Sequence, residues 1–236
     1  MYTGIAEVEV YTKKIRETLF YKKIVDVKVN EANINIEKDI FENALKGQMF
    51  IYINRKSDII NLTTGNAVNF MIRLGYQGRA YLAAKDESFD QEAILMLEFL
   101  DGKRFYITGD QQTHIEIVDE QERKKYYETL SPDPLAKDLT IEPLNKMMMN
   151  FEGSILDALS NTDYLVGIDP QYAKEILLAA EIDPEKSAGD LNMKEANQIF
   201  VAMQTVLQSA LASDGKIKEP YSKNDQRTGR YQLQAK

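Results

Sequence analysis

Apolar residues first recur at helical spacing at Val8, Tyr11, Ile15 and Leu19, with Lys13, Lys14, Arg16 and Glu17 between them. That spacing predicts a helix over 7–22. Alternation then takes over. Residues 25–29 and 34–36 read as strands, and 39–45 reads as a short helix closed by Gly47. Residues 49–54, 58–62, 67–74 and 79–83 read as strands split by turns such as Thr64-Gly65-Asn66. Residues 93–100 and 103–108 flank Asp101-Gly102, a hairpin signature, and 114–118 is the last strand. Seven or more short strands within roughly one hundred residues predict a β-sandwich or barrel.

The pattern changes after residue 118. Residues 120–128 are highly charged and read as helical or irregular. Ser131-Pro132-Asp133-Pro134-Leu135 reads as a rigid connector, and 141–150, 153–160, 170–181 and 192–213 read as helices. The last opens with Asn192 at the N-cap and Glu195 three positions on, a capping-box start. Its residues Ala196, Ile199, Phe200, Met203, Val206, Leu207 and Leu211 form one apolar stripe. A strand-rich part followed by a helix-rich part predicts an α+β chain. The expected organisation is an N-terminal helix plus β-sandwich over 1–130, an all-α domain over 131–213 and a tail over 214–236.

Within the helical part, 165–184 reads as an ordered turn followed by a complete helix. Asp169 stands at the N-cap and Pro170 in the first turn, where its missing N–H has no partner to lose. Such a turn presents free backbone N–H groups, a seat for phosphate. A plain helical hairpin within a core has the same spacing. Met147-Met148-Met149 reads either as an adaptable binding surface or, beside Leu144 and Phe151, as core packing for at least one of the three.

Composition narrows the chemistry. The chain has 236 residues, no cysteine and one histidine. That excludes disulfides, thiol catalysis, cysteine zinc fingers and His-paired metal motifs. His114 sits in an alternating stretch and reads as a half-exposed strand residue, not a base. No metal or cofactor is expected. No apolar run reaches the roughly 20 residues a membrane span needs, and residues 1–14 lack a signal pattern, so a cytoplasmic, non-membrane protein is expected. The net charge of −8 repels duplex DNA overall. The tail is the exception, with Lys216, Lys218, Lys223, Arg227, Arg230 and Lys236 against Asp214, Glu219 and Asp225. It reads as a basic anchor or as a solvated end.

Four motifs occur in a telling order. Ala6-Glu7-Val8-Glu9 looks like PEVE, and Arg73-Leu74-Gly75-Tyr76-Gln77-Gly78-Arg79 looks like HLGMSGR. Ser131–Leu135 looks like GPDPL, and 165–184 looks like GIGNIYASEALFAAGIHP. Gly215 to Tyr231 faintly resembles the run before a zinc finger. Together these resemble the formamidopyrimidine-DNA glycosylase / endonuclease VIII family of base-excision repair enzymes. The resemblance covers nearly the whole chain and implies a helix–two-turn–helix (H2TH) element at 165–184.

Members of that family attack C1′ of a damaged nucleotide with the amine of an N-terminal proline, and the following glutamate handles protons. A strand lysine and an H2TH asparagine hold phosphates, and a Met/Arg/Phe trio fills the gap left by the flipped-out nucleotide. Carried onto this chain, the proline position falls on Thr3 and the glutamate position on Gly4. The strand lysine falls near Asp58, with Lys56 beside it, and the asparagine falls on Pro170. The wedge positions fall on Tyr76 and, loosely, near Gln111 and Thr113. Glu7, Tyr172 and Glu175 match the family, and the zinc cysteines are absent.

The resemblance therefore implies Lys56, Arg73, Tyr76, Arg79, Gly167, Gln171, Tyr172 and Arg230 as DNA-binding residues, and Glu7 and Lys56 as the remaining catalytic candidates. Three functions are consistent with it. The chain is a glycosylase homologue that has lost proline chemistry and keeps weak binding of damaged or abasic duplex DNA. Alternatively it is a glycosylase/lyase with another amine, from Met1 or Lys56. The third reading is a protein-interaction module for a basic partner, in keeping with its acidic surface.

Overall fold

The computed structural model describes residues 3–225 and 227–234. Helix α1 (Ile5–Leu19) leads, followed by β1 (Ile24–Val29) and α2 (Lys38–Leu45). Seven further strands follow: β2 (Phe50–Lys56), β3 (Ile59–Thr64), β4 (Asn69–Arg73), β5 (Arg79–Ala83), β6 (Leu95–Phe99), β7 (Arg104–Thr108) and β8 (His114–Val118). They form two four-stranded antiparallel sheets, ordered β1-β6-β7-β5 and β2-β3-β4-β8. Inward residues of both sheets, among them Phe50, Leu62, Phe70, Ile72, Leu97, Phe105 and Ile107, share one core. The expected sandwich is therefore present.

Helices follow: α3 (Glu120–Glu128), α4 (Glu142–Asn150), α5 (Ile155–Leu159), α6 (Pro170–Ala180) and α7 (Met193–Ala212). Among the described residues no helix is long and apolar enough to cross a membrane. A second core joins Leu144, Met147, Leu159, Ile176, Leu177, Ile199, Met203 and Leu207. Met147 is buried in it and Met149 is exposed, so the methionine run is split between packing and surface. Helix α1 serves both cores. Ile5 and Ala6 enter the helical core, whereas Val8, Tyr11, Ile15 and Leu19 enter the sandwich core. That placement explains why α1 is buried on nearly every side.

The helix starts match their sequence features. Asp169 accepts the backbone N–H groups of Gln171 at 3.0 Å and Tyr172 at 2.9 Å. Asn192 and Glu195 form a complete capping box on α7. One strand expectation fails. Residues 34–36 are not a strand; Glu31–Asn33 is a 3₁₀ turn, and Ile34 makes a single parallel bridge to Ile115. Asparagine side chains replace the backbone ladder there. Asn33 Nδ2 donates to Thr113 O at 2.7 Å. The Asn35 amide both donates to Ile117 O at 2.9 Å and accepts Ile117 N–H at 3.0 Å. Side-chain amides mimic main-chain pairing, so alternation alone misassigns the segment.

The connector is clamped by a residue that no sequence motif singles out. Arg55, on β2, binds Glu9 Oε2 at 2.7 Å and Asp133 Oδ2 at 2.6 Å. It joins α1, the sandwich and the proline-marked joint.

Nor is the tail a solvated end. Lys14 Nζ pairs with Asp225 at 2.8 Å, Leu82 N–H donates to Tyr221 O at 2.8 Å, and Tyr231 N–H donates to Gly215 O at 3.1 Å. Tyr221 is buried in the sandwich core and Tyr231 packs on the helical core. The chain therefore folds back across α1 and α6 after residue 213.

Candidate nucleic-acid interface

Two glycines let α1, α6 and the tail converge. Gly167 has φ +70°, and a Cβ there would lie 2.7 Å from Ile5 Cβ. Its carbonyl accepts the Ile5 N–H at 2.8 Å, which fixes the start of α1 on the turn before α6. Gly215 has φ +66°, and a Cβ there would lie 2.6 Å from Glu7 Oε1. Only glycine tolerates both the left-handed backbone and the approach.

A cleft of about 720 Å³ opens above this junction. The start of α1 (Thr3, Gly4, Glu7), the start of α6 (Asp169, Gln171), the β4–β5 turn (Tyr76 to Arg79) and the tail (Lys216 to Glu219, with Thr228, Gly229, Tyr231 and Leu233) line it. At its floor Glu7 Oε1 accepts the Tyr172 hydroxyl at 2.7 Å and the Lys216 backbone N–H at 2.7 Å. Glu7 Oε2 is buried with no hydrogen-bond partner among the described residues, and a Cβ on Gly4 would come within 2.3 Å of it. The Lys216 ammonium sits 2.6 Å from Asp169 Oδ2, 3.2 Å from Gln171 Oε1 and 3.8 Å from the centre of the Tyr172 ring. Burial, with the negative charge of Glu7 beside it, pushes the Tyr172 hydroxyl well above the ordinary tyrosine range.

These contacts revise the phosphate seat. Asp169 satisfies the N–H groups at the start of α6, and Lys216 in turn neutralises Asp169. The seat is filled by the chain's own carboxylate.

The expected site residues separate into two sets. Glu7, Tyr76, Arg79 and Gln171 line the cleft. Tyr76 is half exposed at its rim, free to stack on a base. Arg79 is paired with Glu219 at 2.7 Å. Tyr172 is fully buried, beneath the cleft floor, with its ring under the Lys216 ammonium. Gly167 is buried against Ile5 and has a packing role.

The others lie elsewhere. Lys56 is exposed beside a different depression with Ser57, Tyr127 and Asp133, away from Glu7. Arg73 pairs with buried Asp58 at 2.9 Å and faces His114 and Glu116. The strand-lysine position is thus occupied by a carboxylate that holds a neighbouring strand. Arg230 is exposed, its N–H bonded to Ser213 O at 2.7 Å, and it does not line the cleft. Thr113 is buried and its hydroxyl accepts the Gly75 N–H at 3.0 Å, so it props the β4–β5 turn instead of inserting into DNA. Gln111 is exposed but is not part of the cleft lining. Met1 lies outside the described residues.

Sequence reasoning counts Lys216 as tail charge and within the stretch resembling the run before a zinc finger, and gives it no role of its own. Its local context, Asp214-Gly215-Lys216 directly after a long helix, is a sign of a sharp turn aiming a lysine back at the fold. Among the described residues no group of three or more carboxylates or imidazoles is arranged to hold a metal ion.

The chain's likenesses run along its whole length. Residues 4–121 match the formamidopyrimidine-DNA glycosylase N-terminal domain, and residues 130–221 match the formamidopyrimidine-DNA glycosylase H2TH domain. A formamidopyrimidine-DNA glycosylase of Wolbachia pipientis is 25% identical over 231 residues, covering 97% of this chain and 85% of the relative. One from Acinetobacter baumannii is 29% identical over 220 residues, covering 92% and 79%. Among solved structures, a complex between the Lactococcus lactis Fpg and DNA containing an abasic site superposes with a TM-score of 0.86 at 19% identity, over 96% of this chain and 84% of that one. With both domains matched in order, the chain belongs to the formamidopyrimidine-DNA glycosylase (Fpg/Nei) family.

Proposed function

We propose that this protein is a glycosylase-like binder of damaged or abasic duplex DNA that lacks proline-dependent glycosylase and lyase chemistry. The cleft carries this reading. It combines a half-exposed aromatic, Tyr76, with Arg79, Gln171, Lys216 and Lys218. Aromatic stacking and cationic side chains are what an unstacked nucleotide needs. The Lactococcus relative solved on abasic-site DNA supports the same ligand, and DNA as ligand agrees with the cytoplasmic location expected from sequence.

Two residues support the loss of proline chemistry. Thr3 occupies the nucleophile position, and its N–H donates to Leu74 O at 3.2 Å. An amide nitrogen used as a donor is not a nucleophilic amine. Gly4, at the proton-handling position, has no side chain.

A second reading has its own observation. The cleft cations Lys216 and Arg79 are paired with Asp169 and Glu219. This self-neutralisation, with a net charge of −8, favours a basic protein partner over DNA. Titration of a fluorescent duplex carrying an abasic analogue, beside the undamaged duplex, separates the two. Preferential binding of the abasic duplex supports the first reading, and no binding leaves the second.

A further inference from the structure

The cleft floor presents an amine, Lys216, that is neither at the family's nucleophile position nor at its strand-lysine position. Lys216 leaves a glycine turn whose close approach to Glu7 only glycine permits, and its own backbone N–H is held by Glu7 Oε1 at 2.7 Å. The root of the side chain is therefore fixed. Its tip is fixed as well, between Asp169 Oδ2 at 2.6 Å, Gln171 Oε1 at 3.2 Å and the face of Tyr172 at 3.8 Å. The side chain is 15% exposed and that of Asp169 is 8% exposed. Both line the same opening as Thr3 and Tyr76. A second carboxylate oxygen, Glu7 Oε2, is buried there with no partner among the described residues.

We infer that Lys216 is a Schiff-base-forming residue for an aldehyde-bearing deoxyribose, the ring-opened sugar of an abasic site. This rests on the proposed DNA-binding reading for its substrate. The Lys216 ammonium gives a proton to Asp169, and the neutral amine adds to the C1′ aldehyde. A proton moves from nitrogen to the new alkoxide, giving a carbinolamine. Asp169 returns its proton to the carbinolamine hydroxyl, which leaves as water. The product is an iminium cation, and Asp169 is again a carboxylate. No oxidant or further reactant is needed.

One physical feature favours the step. The Tyr172 face, 3.8 Å from the Lys216 ammonium, stabilises the iminium as it does the ammonium.

Borohydride trapping tests the assignment with two aldehydes. One is an abasic-site duplex; the other is free 2-deoxyribose 5-phosphate, whose reaction does not require DNA binding. Adducts are located by peptide mass mapping on the unsubstituted protein, and duplex binding is measured separately by anisotropy. The expected result is an adduct on Lys216 with both aldehydes, reduced at least tenfold per bound complex in Lys216→Arg. An Asp169→Asn protein should trap more slowly.

Adducts on another lysine or the amino terminus at equal yield in Lys216→Arg overturn the inference, as does no adduct with either aldehyde. Binding of abasic DNA without an adduct on Lys216 overturns it while leaving the DNA-binding reading intact. A Lys216 adduct with the free sugar but no DNA binding supports the amine assignment and overturns the DNA reading.

Discussion

The Tyr172 hydroxyl donates to Glu7 Oε1 at 2.7 Å, joining the first turn of α1 to the first turn of α6 across 165 residues of sequence. Both partners are buried. Removing the hydroxyl in Tyr172→Phe leaves Glu7 Oε1 with only the Lys216 N–H, and should cost about 1–3 kcal/mol. Glu7→Ala should cost more, because it strands both the tyrosine hydroxyl and that N–H. Urea midpoints at unchanged m-value measure both.

Alkaline pH should destabilise the fold through buried tyrosines. Burial pushes Tyr11 up to about 12, and Tyr172 and Tyr221 are also raised. A raised folded-state pKa contributes stability that is fully present below the unfolded value, about 10, and is lost as pH rises through the folded value. Each such group should steepen the loss by about 1.4 kcal/mol per pH unit between those limits. Stability curves above pH 10 should therefore be shallower for Tyr172→Phe than for the unsubstituted protein.

Gly167 combines a left-handed backbone with contact to Ile5. Gly167→Ala must strain φ and push a methyl against the start of α1. The expected loss is about 1–3 kcal/mol, read as a lowered thermal midpoint. A methyl on Gly65 would meet nothing within 4 Å, and the backbone there has an ordinary φ. Gly65→Ala is the control and should leave the midpoint nearly unchanged.

Arg55 holds Glu9 and Asp133 with its own side chain 9% exposed. Arg55→Met leaves two largely buried carboxylates without their cation. Breaking one side of a buried pair costs roughly 3–5 kcal/mol. The damage should be local to the joint, seen as faster amide exchange over 131–136.

Asp169→Asn keeps an N-cap of equal quality while removing negative charge from the cleft floor. If the cleft holds DNA, affinity for abasic duplex should rise, and freeing Lys216 for a phosphate should steepen the salt dependence by about 0.9 in log–log slope. Anisotropy titrations at several salt concentrations measure this. Unchanged affinity and slope would place the phosphates away from α6.

Local chemistry was legible from sequence and distant chemistry was not. The Asp169 cap and the Asn192–Glu195 box involve residues within one turn, so spacing alone identifies them. Sandwich strands were readable as short apolar runs bounded by turn residues, several of them, such as β3 and β4, buried along nearly their whole length. Residues 34–36 misled because Asn35 bonds β8 through its side chain, and alternation carries no record of that. Arg55, Arg73 and Lys216 took their roles from partners 15 to 209 residues away. Charge could be counted in the tail, but its return across α1 depends on Lys14–Asp225 and on burial of Tyr221. Of the residues that family resemblance singles out, Glu7 and Tyr76 line the cleft, whereas Lys56 and Arg73 line neighbouring surfaces.

The central claim is that an acidic chain still holds damaged DNA in the cleft between α1, α6 and the β4–β5 turn. The most direct measurement is the affinity of the unsubstituted protein and of Tyr76→Ala for a duplex with one abasic analogue, at several low salt concentrations, beside the same duplex undamaged. The account predicts salt-dependent binding that favours the abasic duplex, with that preference reduced at least fivefold in Tyr76→Ala, on the order of 1 kcal/mol of stacking. Absence of binding, or binding indifferent to salt, to the abasic site and to Tyr76, would contradict it.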